Sequence, residues 1–439
     1  MTTLATTLNG PHRRVREDVL HPLEGLSFWY LASAAFFSAL VVWALFAWGC
    51  QIFLGIGVAG IRRPVFWGLY IVNFVFWIGI SHAGTLISAI LRLTDAGWRK
   101  PVTRAAEAIT VFALMIGGMF PLIHLGRVWL FYWLIPYPND RLLWPNFRSP
   151  LVWDMTAIFT YITGSVLYLY LPLIPDLAEM ASRSQGWKSR VYRLLAIGWT
   201  GSDRQWHSLE RAMKLMAAMI LAVAVSVHSV VSYDFSMSIA PMWHSTIFAP
   251  YFVAGAIFSG IAALILVMFA LRKFLNLGRY LRPVHFHNLS KLLLLMCLVW
   301  LYFSASEHLT VWYGNEHIEM AVFNARVYGE YAPYFWLMVA CNFLIPFILL
   351  GIRRLRTLGT IAVSSVAVLI GMWLERFLIV IPTLSYSALP AAWGPYEASW
   401  VELSITAGTF AAMALFYMIF AKIFPIIAIW EYDEDVSAS

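Results

Sequence analysis

Charged residues are scarce in this chain of 439 residues. Asp, Glu, Lys and Arg together make up 12% of it, whereas about a quarter of a soluble globular domain is charged. Hydrophobic residues make up 61%. A composition so poor in charge and so rich in apolar residues excludes a soluble domain and predicts a polytopic membrane protein.

Cysteine is scarcer still, with only Cys50, Cys297 and Cys341, which lie far apart in the sequence. A cubane iron–sulfur cluster needs four thiolates, and the chain has no CxxC pair. We therefore expect neither an iron–sulfur cluster nor a haem in this chain. If the protein handles electrons, its redox metals belong to a partner. The net charge of +7 needs no nucleic-acid partner, because basic residues collect beside membrane spans.

Strands of alternating polarity are also absent, and helices then have to satisfy the backbone polar groups inside a bilayer. One crossing takes about 20 apolar residues, and ten runs of that length are present. The first starts near residue 27 and is too long for the core of a cleaved signal. The predicted fold class is all-α, with spans 1 to 10 at about 27–54, 65–92, 107–134, 150–174, 211–234, 247–271, 289–312, 332–351, 358–383 and 402–428.

Arginine and lysine residues collect in alternate connections between the spans. With a cytoplasmic N-terminus, the inner segments hold the clusters at 13–16, 92–104, 183–214, 272–291 and 353–356. The outer loops keep only Arg62, Arg63, Arg141, Arg148 and Arg326. This bias predicts that both termini are cytoplasmic.

A weak internal repeat suggests how the spans are grouped. "ISHAGTLISAILRL" (80–93) is similar to "IFSGIAALILVMFALRK" (257–273), four spans later and in the same orientation. Chance similarity between apolar segments is the alternative. The repeat predicts two parallel four-helix bundles, spans 2–5 and 6–9, flanked by spans 1 and 10. The corresponding segments are a tail (1–26), span 1 with its loop (27–64), the first bundle (65–234), the second bundle (235–384) and the last span with a tail (385–439).

Ionisable side chains within spans are costly and are treated as functional candidates by default. Those nearest the outer face are His124, Arg127, Asp154, Asp234, Glu307, His308, Glu375 and Arg376. His124 and Arg127 are about one turn apart, so we expect them buried on one face of span 3. Glu375 and Arg376 should point about 100° apart, so that each needs its own partner. A buried ion-pair network joining spans 3 and 4, with Asp234 hydrated at its helix end, would explain this set without a ligand.

The inner half of the membrane is predicted to be poorer in polar groups. Ser81, His82, Thr85 and Ser88 are spaced to line one face of span 2. They are either a proton-conducting stripe or ordinary helix-packing groups that bond neighbouring backbone. His82 is the one group among them that can hold a proton near neutral pH.

A histidine and a carboxylate below an apolar surface suit the oxidation of a quinol, whose hydroxyl protons must be removed as the electrons leave. Aromatic residues at 129–133 and 153 fit a quinone ring, and an interfacial aromatic belt explains them equally well. Two alternatives stay open. His124 with His228 or His308 is a candidate pair of haem ligands, and converging charges with a parallel repeat also suit a secondary transporter.

Long motifs in these spans resemble a known family. They are "WIGISHAGTLISAILRL", "AEAITVFALMIGGMFPLIHLGRVW", "WDMTAIFTYITGSVLYLYLPLIPDLA", "IFAPYFVAGAIFSG" and "GMWLERF". The chain resembles the NrfD, or polysulfide-reductase C-like, integral membrane subunits over about residues 25–425. Within that family it is most similar to the C subunit of alternative complex III, a quinol-oxidising respiratory complex of bacteria. The homologous F subunit of that complex is not thought to oxidise quinol, and the intact pair of His124 and Asp154 favours the C subunit.

The resemblance implies a quinol-oxidising subunit of the bacterial inner membrane that is inactive alone. Menaquinol or a related quinol would bind near the outer face and pass electrons to the iron–sulfur cluster of a periplasmic, molybdopterin-like subunit. Multihaem cytochrome c subunits, a homologous NrfD-like membrane subunit, membrane lipids and a terminal oxidase are the further partners implied. The alternatives are the membrane anchor of another molybdopterin or iron–sulfur oxidoreductase and a transporter.

Carried over motif by motif, the family's catalytic histidine falls on His124 and its aspartate on Asp154. We expect Arg127, Asp234 and Arg376 to complete the quinol-binding set. Protons from the quinol are expected to leave outward. A path for protons across the membrane would use Ser81, His82, Thr85, Ser88, Glu307 and Glu375.

Overall fold

The computed structural model describes residues 17–23, 25–135, 140, 142 and 147–432, which form α-helices and short connections. The isolated bridge between Arg62 and Val65 is the only β pairing within these ranges. The basic cluster at 13–16 and Arg141, which entered the predicted orientation, lie outside the described residues. The ends of the two predicted tails, 1–16 and 433–439, lie outside them as well.

Ten helices in the described part of the chain are long and apolar enough to cross a membrane, which confirms the predicted number of spans. Their bounds are, from span 1 to span 10, Phe28–Leu54, Gly68–Leu93, Thr103–His124, Pro150–Arg183, Asp203–Ser236, Phe248–Phe274, Pro283–Gly314, Ala332–Gly351, Leu358–Ser385 and Trp400–Ile423. Most bounds lie within a few residues of the prediction, because the thickness of the hydrocarbon layer dictates the length of an apolar run.

Spans 4 and 8 are composite helices. Span 4 joins Pro150–Tyr170 to Ile174–Arg183 through a 3-10 turn at Leu171–Leu173. Span 8 joins Ala332–Val339 to Ile345–Gly351 through a π-helical turn at Ala340–Leu344. Shorter elements connect the spans: the α-helices Gly186–Leu195 and His317–Val327 and the 3-10 helices His21–Leu23, Ile56–Val58, Gly97–Arg99, Leu277–Arg279 and Pro390–Ala392.

Span 3 differs from the prediction, which extended it to residue 134. Its main helix, Thr103–Gly117, stops before a short helix, Phe120–His124. Pro121 has no N–H to donate back to Gly117, so the helix breaks there. Beyond His124 the backbone turns at Gly126, whose φ of 70° favours glycine. The apolar run up to Leu134 therefore continues as a 3-10 helix, Val128–Leu134.

The spans pack as two groups of neighbours. Spans 2, 3, 4 and 5 contact one another in a closed ring, and spans 6, 7, 8 and 9 do the same. Span 2 also contacts spans 6 and 9, so it lies between the two groups and is almost completely buried. Span 1 packs mainly against span 10 at the periphery. This arrangement brings the ends of spans 3, 4 and 5 that are predicted to face outward, called their outer ends below, to one end of one group.

Buried polar contacts tie the predicted inner end of the first group to the C-terminal segment. Arg104 and Asp176 form a fully buried ion pair at 2.5 Å. The same guanidinium donates to the carbonyls of Pro172, at 2.8 Å, and Pro425, at 3.0 Å. The Trp430 indole also donates to Pro172. These contacts join spans 3 and 4 to the chain that follows span 10.

Two glycines of span 2 offer a matched test of this packing. A Cβ at Gly84 would overlap the Ala106 carbonyl and the Thr110 hydroxyl of span 3, whereas a Cβ at Gly79 would find its nearest neighbour 3.7 Å away. We expect Gly84→Ala to lower stability by about 1–3 kcal/mol through overpacking. Thermal unfolding of the purified protein in nanodiscs should show Gly79→Ala unchanged or slightly stabilised. Equal effects of the two substitutions would contradict the close packing of spans 2 and 3 at Gly84.

Candidate functional site

His124 ends the short helix that follows the break in span 3. Its side chain is half-buried, and its Nδ1 is buried without a hydrogen-bond partner. A buried ring nitrogen without a partner costs free energy. Such an atom is free to accept or donate a hydrogen bond to a ligand, and in neutral histidine one ring nitrogen is an acceptor.

Two carboxyl groups of spans 4 and 5 meet near the outer ends of their helices. The Asp154 and Asp234 side chains lie within hydrogen-bonding reach of each other. Asp154 is 7% exposed and Asp234 is half-buried. An ionised carboxylate can only accept, so a hydrogen bond between two carboxyls requires a proton on one of them. Each side chain still has a buried Oδ1 without a partner, so the pair keeps accepting capacity for a further group.

His124 and the aspartate pair lie at the same end of the first group of spans. Asp154 lies four residues after Pro150, where its helix begins, and Asp234 lies two residues before Ser236, where its helix ends. Within the described residues, no hydrogen bond or ion pair joins His124 directly to either carboxyl. The three groups therefore form a site only if a ligand or water lies between them.

Arg127 does not lie where the sequence predicted. It follows the end of the helix, with φ −89° and ψ 80°, and its side chain is exposed. The expectation of His124 and Arg127 buried on one helical face is therefore wrong, because Gly126 reverses the chain between them. The aromatic residues of the following 3-10 helix, among them Trp129 and Trp133, are also exposed. This exposure fits an aromatic belt at the membrane interface.

The stripe of span 2 is buried and belongs to a hydrogen-bonded network. His82 Nδ1 donates to the Ile78 carbonyl at 2.5 Å, which leaves Nε2 as the acceptor of the neutral ring. Thr85 donates to the Thr110 hydroxyl at 3.0 Å, and the Tyr161 hydroxyl donates to Thr85 at 3.1 Å. Spans 2, 3 and 4 thus share one polar seam at the level of the predicted stripe.

Towards the end of span 2 at Leu93, the seam contains charged residues that the sequence analysis missed. Ser88 donates to Glu107 at 2.6 Å, and Arg92 lies 3.8 Å from the same carboxylate. Arg92 also lies 3.5 Å from Glu431, which pairs with Arg99 at 2.7 Å. The expectation of a sparse inner half is wrong. These partners are separated by up to hundreds of residues in sequence, so no local pattern revealed them.

His228 of span 5 lies where the two groups of spans meet. It is fully buried, and its ring centroid is 4.5 Å from that of His82 and 6.0 Å from that of Phe252. The Phe252 backbone is within its reach, but neither ring nitrogen makes a hydrogen bond of ordinary geometry. The Arg376 guanidinium packs over the Phe252 ring, 4.6 Å from its centroid.

Glu375 and Arg376 form an ion pair with each other at 3.2 Å, whereas the sequence predicted separate partners. Long side chains reach across the 100° that separates their Cα–Cβ bonds. Tyr251 and Trp300 each donate to the Glu375 carboxylate at 2.5 Å. Arg376, predicted to bind quinol, contacts this network and Phe252. Within the described residues it makes no ion pair with Asp154 or Asp234.

Glu307 is also paired within the second group. It lies 3.7 Å from Arg326 and 3.9 Å from His308. Arg326 was predicted in an outer loop but is 2% exposed, because the helix His317–Val327 folds into the outer end of the bundle. Burial lowers the pKa of the Arg326 guanidinium, and the Glu307 carboxylate opposes that change. Glu307 and Glu375 line one small cavity with room for about one water molecule.

The cysteines do not form a redox site with one another. Cys297 and Cys341 are buried, Cys50 is half-buried, and all three are free thiols. Among the residues that the structure describes, no group of three His, Cys, Asp or Glu side chains is arranged to hold a metal ion.

The sequence of this chain is similar to a family profile and to several known proteins. A sequence profile described as "Polysulphide reductase, NrfD" matches residues 57–387. The chain is 27% identical to a Halobacterium salinarum protein assigned as a membrane subunit of dimethyl sulfoxide reductase, covering 88% of this chain and 89% of that relative. It is 24% identical to the C subunit of selenate reductase from Mesobacillus selenatarsenatis, covering 82% and 86%.

A third relative is the Hdr-like menaquinol oxidoreductase integral membrane subunit of Archaeoglobus fulgidus. The chain is 22% identical to it, covering 82% of this chain and 81% of the relative. All three relatives are named as subunits of oxidoreductases, and two of them are named as membrane subunits.

The ion pair of Glu307 and Arg326 can be tested by stability. Arg326→Met leaves Glu307 buried without its cation, and we expect a loss of about 3–5 kcal/mol in the free energy of unfolding. Adding Glu307→Leu should recover most of that loss, because no uncompensated charge then remains. Arg63→Met, which changes an exposed arginine of an outer loop, is the control. Thermal unfolding in nanodiscs compares these variants with the wild type. A double variant that loses as much stability as the two single substitutions together would contradict the pairing.

Proposed function

Because the chain belongs to the polysulphide reductase NrfD family, we propose that it is the quinol-oxidising membrane subunit of a respiratory oxidoreductase complex. Quinol binds near the outer ends of spans 3, 4 and 5. Its two electrons pass to an iron–sulfur cluster of a periplasmic partner, and its two protons leave outward. The membrane is the bacterial inner membrane, with both termini cytoplasmic.

The observation that carries this proposal is the buried aspartate pair, with which no cation among the described residues forms an ion pair. Asp154 and Asp234 lie within hydrogen-bonding reach of each other and keep unpaired oxygens, so one shared proton would relieve the repulsion between them. The acidic groups Glu307 and Glu375, by contrast, have arginine partners. A carboxyl pair without a counter-ion is poised to accept or release a proton, whereas a compensated carboxylate is held ionised. The outer end of the first bundle therefore suits proton transfer.

His124 supplies a second proton acceptor. The two hydroxyls of a quinol lie at opposite ends of its ring, so their two partners need not contact each other. One hydroxyl donates to the unpaired Nδ1 of His124, and the other donates to the aspartate pair. As two electrons leave the ring, the imidazole and the carboxyl group each take one proton, and the quinol becomes a quinone.

The position of these acceptors favours release of the protons to the outside. Asp154 and Asp234 both lie within about one helical turn of the outer ends of their spans. Water at that surface is nearer than any cytoplasmic exit. Arg127 is an exposed surface cation close in sequence to His124, and the proposed proton transfer does not use it.

The complex itself has two candidate types. The motifs of spans 2, 3, 4, 6 and 9 favour alternative complex III, in which multihaem cytochromes c, a second NrfD-like subunit and a terminal oxidase accompany this chain. Two relatives named as reductase subunits favour a second candidate, a membrane subunit of a terminal reductase with the same quinol chemistry. Purification through a tag on this chain separates them. Stoichiometric c-type haem supports the first, and quinol oxidation without c-type haem supports the second.

A proton path through the membrane is a separate proposal. The stripe of span 2 connects by hydrogen bonds to spans 3 and 4, and Ser88, Glu107 and Arg92 extend it towards the cytoplasm. Glu307 and Glu375 would continue the path outward. All three carboxylates have an arginine neighbour, at 3.8 Å for Glu107, 3.7 Å for Glu307 and 3.2 Å for Glu375, so Glu375 is expected to be the poorest carrier of the three.

Replacing either acceptor should abolish quinol oxidation. We expect His124→Ala and Asp154→Asn each to lower kcat/KM for quinol by at least about 100-fold, the usual contribution of a general base. Activity should be measured in membranes with the complex assembled and quantified. Phe159→Leu, on the lipid-facing side of span 4, is the matched control. Wild-type turnover in either acceptor variant would contradict the quinol site.

The proton path predicts a different phenotype. If the stripe conducts, His82→Ala and Glu107→Gln should lower the number of protons translocated per electron while quinol oxidation continues. Vesicles containing the complex, with a pH-sensitive dye, measure this ratio. Ser259→Ala removes a buried hydroxyl outside the stripe and is the control. An unchanged ratio would assign these residues to helix packing.

A further inference from the structure

Span 1 is an almost entirely lipid-facing helix with one buried polar side chain. Of the residues in Phe28–Leu54, only Ala47 and Gln51 are buried. Gln51 has no exposed surface. Placing an amide inside the membrane is costly unless its donors and acceptors find partners. A glutamine at this position therefore needs a structural or functional reason.

The Gln51 amide reaches the chain next to His124. Its Nε2 donates to the Ile123 carbonyl at 2.7 Å, and its Oε1 accepts from the Tyr70 hydroxyl at 2.5 Å. In a continuous helix, the Ile123 carbonyl would accept from the N–H of residue 127. Here that N–H donates to Leu125 instead. Gln51 thus supplies the donor that the helix break has removed.

Two apolar contacts hold the same segment from both sides. The Tyr70 ring lies 6.4 Å from that of Phe120, the first residue of the short helix. Ile56, just beyond span 1, packs against Gly126, where a Cβ would lie 3.3 Å from its side chain. The peptide before His124 and the turn after it are therefore both held by span 1 and its extension.

We propose that Gln51 is a positioning residue that sets the orientation of His124 for the quinol. This inference rests on the proposed function. Gln51 acts through the Ile123 carbonyl and does not touch the reacting atoms. It lies before residues 57–387, the part of the chain that matches the family profile, so this support comes from a helix outside the matched segment.

Two substitutions separate a hydrogen-bonding role from mere space filling. Gln51→Met keeps the length and apolar volume but removes both hydrogen bonds. Gln51→Glu, as the neutral carboxyl that burial favours, keeps one donor and one acceptor at the same reach. Phe53→Leu, on the exposed side of the same helix, is the control. Each variant is studied in the assembled complex, with menadiol as electron donor.

We expect Gln51→Met to lower kcat/KM for menadiol by roughly 10–100-fold, the usual effect of losing a support behind a site residue. The pH profile of its kcat/KM should shift relative to that of the wild type, which a purely structural role would not produce. Gln51→Glu should keep near wild-type activity. The amount of assembled complex should match the wild type in every variant.

The Gln51 and His124 variants together distinguish an error in the role of Gln51 from an error in the proposed quinol site. If His124→Ala is inactive while Gln51→Met behaves like wild type, Gln51 is not a positioning residue and the quinol site stands. If Gln51→Glu is as impaired as Gln51→Met, the hydrogen bond is not the cause and the inference is overturned. If His124→Ala itself retains activity, the proposed function fails first.

Discussion

The cost of placing charge in a hydrocarbon layer governs the interior of this protein. Each charged side chain at the centre of a span costs about 2.5–3.5 kcal/mol on insertion scales, and the chain meets that cost by pairing. Arg104 with Asp176, Arg326 with Glu307, and Arg376 with Glu375 are all buried ion pairs. The first two pairs each join two different helices, so the pairing that compensates the buried charges also holds those helices together.

Against this background, the aspartate pair is the exception. Within the described residues, Asp154 and Asp234 lie within hydrogen-bonding reach of each other and form no ion pair with a cation. The same end of the second group of spans is instead neutralised by its arginines. In the proposed function, the first group therefore carries out proton transfer and the second supports it.

The break in span 3 is the second requirement of the site. A continuous helix would have satisfied the Ile123 carbonyl internally and left Gln51 without a partner. The turn at Gly126 prevents this, and the Gln51 amide of span 1 donates to the Ile123 carbonyl instead. A peripheral helix thereby becomes part of the support for His124, and the site depends on contacts between segments about 70 residues apart.

The sequence alone determined the all-α fold, the ten spans and the membership of the family. Apolar runs of the required length and long local motifs encode these properties, and neither needs tertiary contacts. It also identified His124, Asp154 and Asp234 as costly residues at one depth. The error at the end of span 3 had a local cause, because hydropathy counts apolar residues but does not register the turn at Gly126.

Only the tertiary structure decided which charges are compensated. The sequence predicted Arg326 in an outer loop and a separate partner for Glu375, yet both residues are buried in ion pairs. Glu107 and Glu431 approach the same arginine from positions more than 300 residues apart. The state of an ionisable group in a membrane depends on its neighbours in space. Those neighbours come mostly from other helices, so their identity is set by packing and cannot be read along the chain.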